Sequence, residues 1–309
     1  MKVKNSLNAL IIIILSLPIY GCNGLPVTTI EIATPKEPSK MIIHAYFLNT
    51  DTALWIHLHK STSLFELDTL ESGLLGDLAG ATAQLFNDNG LLSSFQYGLQ
   101  GNPQNILNYS SHLAAPLETY GSKLSIKVNH PAYAEITSTQ FFPTHVPIES
   151  AKLIKNAGIV LSNGENSHAI QITFKDPAQE ANFYQVRIVS RLPNDQTDRS
   201  ILRVSSSDPI FTTGEFGRTT LEVSDESFDG SSYIFNFFLM EEIPEEHLLY
   251  FTWRTITKEW YEYIKSNRQQ FVSNGFLNNF SEPLNIISNV EGGLGIFGLG
   301  TEEKILLQE

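Results

Sequence analysis

One cysteine, Cys22, stands in the 309 residues. The chain can therefore form no internal disulfide and offers no thiolate cluster for a metal or a redox couple. Basic residues are scarce as well: 20 Lys and Arg face 33 Asp and Glu, a formal net charge of −13. No run of Lys or Arg interrupts that surface, which repels phosphate backbones and argues against nucleic acid as a partner. There is no GxSxG elbow, so the scattered Ser, His and Asp residues read as surface and turn positions and not as a hydrolase. The longest apolar run covers about a dozen residues, where a spanning helix needs about twenty. No reaction can be read from these residues, and the chain is expected not to be an enzyme.

What is present begins with MKVKNSLNALIIIILSLPIYGC. Lys2 and Lys4 form a positive segment, Leu10 to Leu17 an apolar one broken only by Ser16, and Gly21 precedes Cys22. That is the layout of a secretory signal peptide. Its end resembles a bacterial lipobox, in which the cysteine is lipidated and becomes the mature N-terminus. Lipidation of Cys22 accounts for an odd cysteine in an exported protein; a free thiol at the end of the leader is the plainer alternative. At about 0.8 kcal/mol per buried methylene a single acyl chain anchors only marginally, whereas two or three chains hold effectively for good. Residues 1–22 are thus read as leader and lipobox. Residues 23–40, with Pro26, Pro35 and Pro38, are read as a tether that includes a short strand at Thr29–Ala33. Losing Lys2 and Lys4 takes the net charge from −13 to −15.

From Met41 the pattern has period two. Ile43, Ala45 and Phe47 alternate with His44, Tyr46 and Leu48; after Asn49–Thr52, Leu54, Ile56 and Leu58 alternate with Trp55, His57 and His59. Two alternating runs around a short polar loop predict a hairpin. Further strands are expected at Ala81–Phe86, Leu92–Tyr97, Lys123–Asn129 and Tyr133–Thr139, and Phe142–Pro147 reads as an extended linker. A second series runs through Ser150–Lys155, Gly158–Leu161, His168–Phe174, Asn182–Ser190, Ile201–Ser205, Thr220–Val223, Ser232–Met240 and His247–Thr255. Thr257 can cap a helix of about 15 residues whose apolar face holds Trp260, Ile264 and Phe271. Roughly 285 mature residues exceed what one core serves. The expected fold is mainly β: two β-sandwich domains, immunoglobulin-like or transthyretin-like, over 41–141 and 148–309, with one helix near the C-terminus.

Several motifs carry a resemblance. Phe280-Ser281-Glu282-Pro283, followed by Ser288-Asn289-Val290-Glu291-Gly292-Gly293-Leu294-Gly295-Ile296-Phe297-Gly298, resembles the closing signature of a Bacteroidetes lipoprotein family catalogued as domain of unknown function four-two-four-nine. Asp176-Pro177 with Glu180, Asn182, Phe183 and Tyr184 is similar to its mid-chain motif, Phe228-Asp229-Gly230 to a later one, and Gly80-Ala81-Thr82 with Asn89-Gly90 to its first domain. The resemblance implies a mostly β lipoprotein of the outer membrane, often encoded beside TonB-dependent receptors, and brings no catalytic residues. Surface-displayed lipoproteins of that phylum usually carry acidic residues just after the cysteine. Asn23-Gly24-Leu25-Pro26 follows here, which leaves the periplasmic and surface faces of the membrane both open.

Gly293-x-Gly295-x-x-Gly298 matches a dinucleotide-binding pattern, but no βαβ unit fits in the 11 residues that remain. The glycines are read as tight turns where the chain folds back on the sandwich. The hairpin is more telling. With Asn49–Thr52 as loop, His44 faces His57 and His59 lies two residues on, so three imidazoles share one face. They are the candidate metal ligands, for zinc or copper, with a solvated aromatic outer face as the alternative. Asp176-Pro177-x-x-Glu180 with Asn182 offers oxygens at loop spacing for calcium, although a turn that starts a strand explains it as well.

Two functions are expected. One is a ligand-capturing accessory of a TonB-dependent receptor, anchored in the outer membrane. The other is a structural or adhesive envelope protein that binds polysaccharide or another surface protein through Tyr250, Phe251, Trp253, Trp260, Tyr261 and Tyr263. If Trp253 and Trp260 are both buried, the sugar-binding platform fails.

Overall fold

The computed structural model describes residues 38–61, 78–100, 107–117, 123–194, 200–211, 219–244, 246–273 and 286–307. Cys22, the leader and the expected strand Thr29–Ala33 lie outside them. Residues from Ser39 onward form one compact unit.

β1 (Met41–Leu48) and β2 (Ala53–Lys60) form the expected hairpin. Met41 pairs with Lys60, Ile42 with His59, His44 with His57 and Ala45 with Ile56. Ile43, Ala45, Phe47, Leu54, Ile56 and Leu58 are fully buried, so a slip of one residue would carry six apolar side chains to the opposite face. β3 (Thr82–Asn87), β4 (Gly90–Gln100), β6 (Lys123–His130) and β7 (Tyr133–Phe141) follow the expected runs. β5 (Leu107–His112) is an addition, placed between β2 and β4. Its sequence LNYSSH shows no apolar alternation. Asn108 instead uses its amide like a second backbone, accepting from Leu58 N at 2.8 Å and donating to Leu58 O at 2.6 Å.

The second half contains β8 (Ile148–Ile154), β9 (Ala169–Lys175), β10 (Phe183–Arg191), β11 (Ser200–Leu202), β12 (Val204–Ser206), β13 (Leu221–Ser224), β14 (Ser232–Leu239), β15 (Leu248–Ile256), α1 (Lys258–Ser273) and β16 (Leu294–Leu306). Twelve strands belong to one sheet, in the order β11-β10-β15-β16-β1-β2-β5-β4-β3-β6-β7 with β13 beside β10; β12-β14-β9-β8 form a second. The fold is mainly β, consistent with sandwich packing, and α1 is the helix expected near the C-terminus. Among the described residues no helix is long and apolar enough to cross a membrane.

Two cores fill the unit. Phe174, Phe235 and Phe237 of the small sheet interleave with Tyr184, Val186, Phe251 and Trp253 of the large one. The other, the first core in chain order, gathers Ile43, Phe47 and Ile56 with Leu85, Ile126 and Val128. The closing strand contributes Phe297 and Leu299 to that first core, and Leu307, just beyond it, to the second. The expected division at 141/148 is therefore crossed by β16.

Three local expectations change. Gly158–Leu161 forms only an isolated bridge, Val160 to Asn166. Ile201–Ser205 splits at Arg203 into β11 and β12, which belong to different sheets. The glycine-rich end is a 13-residue strand and not a series of turns. Glycine is depleted in strands because it packs nothing; here the absence of a side chain is what the neighbours require. Gly295 has φ +113°, and a Cβ there would overlap the carbonyl oxygen of Ile43 on β1. A Cβ on Gly298 would lie 3.0 Å from Cβ and Cγ of Trp260, the helix residue seated on it.

Gly295→Ala is expected to cost about 3–5 kcal/mol, combining backbone strain with steric overlap. Gly90 has a similar φ of +116° with nothing within 4 Å, so Gly90→Ala should cost only about 1–2 kcal/mol. Urea unfolding of the two variants checks this; equal losses would show that the Gly295 contact is not tight.

Candidate metal centre

His44 on β1 and His57 and His59 on β2 project from the face opposite the first core, because β1 and β2 alternate in strict register. Ring centroids are 6.0 Å apart for His44–His57, 5.2 Å for His44–His59 and 4.6 Å for His57–His59, the last pair nearly stacked. One nitrogen from each ring lies within 4.8 Å of the others. Donors of a tetrahedral ion at 2.0–2.1 Å sit about 3.4 Å from one another, so small side-chain rotations separate this cluster from a coordination site.

α1 covers this face. Trp260 packs on Gly298 and against Tyr46 at 4.9 Å between centroids, and Ile264 joins the same small cluster. Thr257, expected as a cap, uses its hydroxyl to accept the Leu299 N–H and so ties the start of the helix to β16. One turn on, Tyr263 shares a hydrogen bond of 2.9 Å between its hydroxyl and His44 Nε2. Sequence reasoning placed Tyr263 among the aromatics of a sugar platform and not beside His44; its position three residues after Trp260, on the adjoining strip of the helix, is the signal that could have found that contact. The side chain of Phe271 lies outside the described residues.

Burial first, and then the neighbouring His57, hold His44 down to about 4. Burial, followed by His44 and His57, does the same for His59, and burial lowers His57. The three rings are thus neutral at neutral pH, the form that binds metals. Among the described residues His59 Nδ1 is buried with no hydrogen-bond partner, a deficit that costs about 1–3 kcal/mol in an otherwise satisfied interior.

With that geometry in hand, comparison with family models matches the one described as Domain of unknown function (DUF4249) over residues 27–305. The chain belongs to this family. Comparison with curated proteins gives no match. Among solved structures, DUF4249 as seen here is similar to a DUF4785 family protein from Legionella pneumophila, at 10% identity and a TM-score of 0.21, over 69% of this chain and 52% of that one. The chain spans about half the length of that structure, and at this score the likeness carries no argument.

In this DUF4249 chain the mid-chain and later motifs meet. Asp176 accepts from Tyr184 OH and, at 3.0 Å, from Gly230 N; Asp225 accepts Asn182 N at 2.7 Å; Asp229 accepts Gln179 N at 3.0 Å. Asp176, Asp225 and Asp229 come within 4.8 Å of one another. The expected calcium set does not converge: Glu180 turns to accept from Thr144, and the Asn182 amide donates to the Glu180 carbonyl. Each carboxylate here staples a turn. Ser190 bonds His247 Nδ1 at 2.8 Å but is 1% exposed, which closes its hydroxyl to a substrate. A groove of about 420 Å³ along α1, lined by residues including Phe183, Asp225, Lys258, Tyr261 and Lys265, shares no residue with the histidines.

The histidines give the fold a signed pH dependence. In the unfolded chain they titrate near 6.5; in the folded one His44 and His59 take up a proton only near 4. Between these values the unfolded state binds more protons, so stability is whole above about 6.5 and is lost as the pH falls toward 4. Asp51, raised to about 6 chiefly by burial, acts in the opposite sense. His44→Gln/His59→Gln leaves Asp51 in place, so comparison with wild type isolates the histidines. Thermal midpoints between pH 7.5 and 4.5 should fall more steeply for wild type; parallel curves would contradict the burial argument.

Proposed function

We propose that this chain is a non-enzymatic lipoprotein of the outer membrane that captures a ligand for a TonB-dependent β-barrel receptor. The address rests on the first 22 residues, where a positive segment, an apolar segment and Gly21-Cys22 follow in the order of a lipoprotein leader. The partner rests on the resemblance of the closing and mid-chain motifs to a lipoprotein family of the Bacteroidetes. The observation that carries the binding role is the convergence of three half-buried imidazoles with one unsatisfied nitrogen, on a hairpin held in register from both sides. Such a site can bind and release a ligand. The polysaccharide-binding alternative depends on exposed aromatics, and Trp253 is 0% and Trp260 6% exposed, which removes that platform.

Two measurements test this reading. Labelled palmitate should enter the wild-type protein and not Cys22→Ser, and the variant should leave the membrane fraction. A tagged wild-type chain, extracted in mild detergent from native outer membranes, should bring a β-barrel receptor with it. Recovery of the protein alone would argue against the receptor role, and equal membrane retention of Cys22→Ser against the anchor.

A further inference from the structure

Resting on the reading of this chain as a capture module, we infer that its ligand is a divalent d-block cation, zinc or copper, bound by His44, His57 and His59, with Tyr263 positioning His44. The donor set argues for this class. Three imidazoles with no carboxylate among them suit zinc and copper and disfavour calcium and magnesium, which demand oxygen. Three protein ligands also leave a coordination position open, as a site that must pass its ion onward requires.

The scaffold argues for a site prepared in advance. The ligands come from two strands whose ladder runs unbroken through His44–His57 and Ile42–His59, and the other side of β1 pairs with β16 at His44–Ile296. Neither hairpin strand can slide without unburying the first core. His57 and His59 sit two residues apart on one strand and present their rings side by side at 4.6 Å. His59 Nδ1, buried and without a partner among the described residues, is the group a cation would satisfy.

Tyr263 supplies what metal-binding histidines ordinarily need, a hydrogen-bonding partner that fixes the ring before the ion arrives. Its bond to His44 Nε2, 2.9 Å long, reaches across from α1. The acidic chain, at −13, concentrates cations near its surface.

The test is calorimetric titration of the detergent-extracted full chain with zinc, copper and calcium salts. One equivalent of zinc or copper should bind at least 100-fold more tightly than calcium, and His57→Gln/His59→Gln should lose at least 100-fold for both. Equal affinity of wild type and variant overturns the site. Cobalt(II) added to wild type needs no variant: intense visible bands of a low-coordinate nitrogen site support the inference, and the weak bands of an octahedral surface site overturn it. Tyr263→Phe should weaken zinc about 10- to 100-fold and shift the cobalt bands, with only a small fall in the metal-free melting midpoint from the lost His44 hydrogen bond. Unchanged or tighter binding overturns the positioning role. A chain that recovers a receptor yet binds none of these metals refutes this inference and leaves the capture reading standing; a metal-binding chain with no receptor does the reverse.

Discussion

β16 is hydrogen-bonded along both edges, parallel to β1 from Ile42–Leu294 to Leu48–Gly300 and antiparallel to β15 from Tyr250–Leu306 to Ile256–Gly300. A parallel neighbour requires a crossover connection, and here nearly the whole compact unit, from β2 through α1, is that connection. The closing strand thus fixes how the first hairpin lies beside the second half. It also fixes the outer face. With no side chain at Gly298, Trp260 descends onto the strand itself, and α1 comes close enough for Tyr263 to reach His44. A residue near the C-terminus therefore sets the geometry of one near the start.

Beyond the glycine floor, the same outer face turns polar. Arg254 donates to Glu302 through Nε and lies 2.7 Å from it through Nη2, and donates to Gln185 at 2.8 Å; Gln185 donates to Glu222, which pairs with Arg268 of α1. Glu302 N donates to Asn49 Oδ1 in the β1–β2 loop. The chain of bonds runs from α1 across β13, β10, β15 and β16 to the first hairpin. A buried ion pair is weak support for net stability, since desolvation offsets the attraction. Its effect here is on register: Arg254 and Glu302 are direct ladder partners, and a slip of β16 against β15 would leave both charges buried without a mate. Asp51 lies near this chain. Burial and Glu302 raise it, and its bond from Leu48 N and the more distant Arg254 only partly compensate.

Much of this was legible. Wherever one face meets the core, period-two alternation located the strands to within three residues at either end, and the polar loop Asn49–Thr52 fixed the His44–His57 pairing. The illegible parts share a physical cause: the residues are held by something other than their own apolar pattern. β5 is recruited by the Asn108 amide, and by Tyr109, whose hydroxyl donates to Leu78 O and whose ring is buried. β16 hides behind glycines that mark close approach and not turning. Tyr263 belongs to a helix whose apolar stripe was visible but whose docking angle depends on Gly298, some 35 residues later. No local window contains that dependence.

The two clusters of metal-ligand type among the described residues show why residue identity alone does not mark a site. Asp176, Asp225 and Asp229 approach each other as closely as the histidines do. Yet each carboxylate already accepts from a backbone N–H or a tyrosine hydroxyl, so its oxygens have donors within the fold. An arriving cation would have to break turns that hold Asn182 and Gly230 in place. The histidines differ in what surrounds them. Burial has stripped part of their water, Tyr263 satisfies His44, and His59 Nδ1 has no hydrogen-bond partner among the described residues. A buried polar atom without a partner is a cost the fold has not recovered internally. Thr252 and Thr301 carry the same deficit singly on a hydroxyl; at His59 it falls inside a convergent set of donors whose strands cannot move apart. Satisfied carboxylates hold the fold, and the unsatisfied imidazole is where the fold has something left to bind.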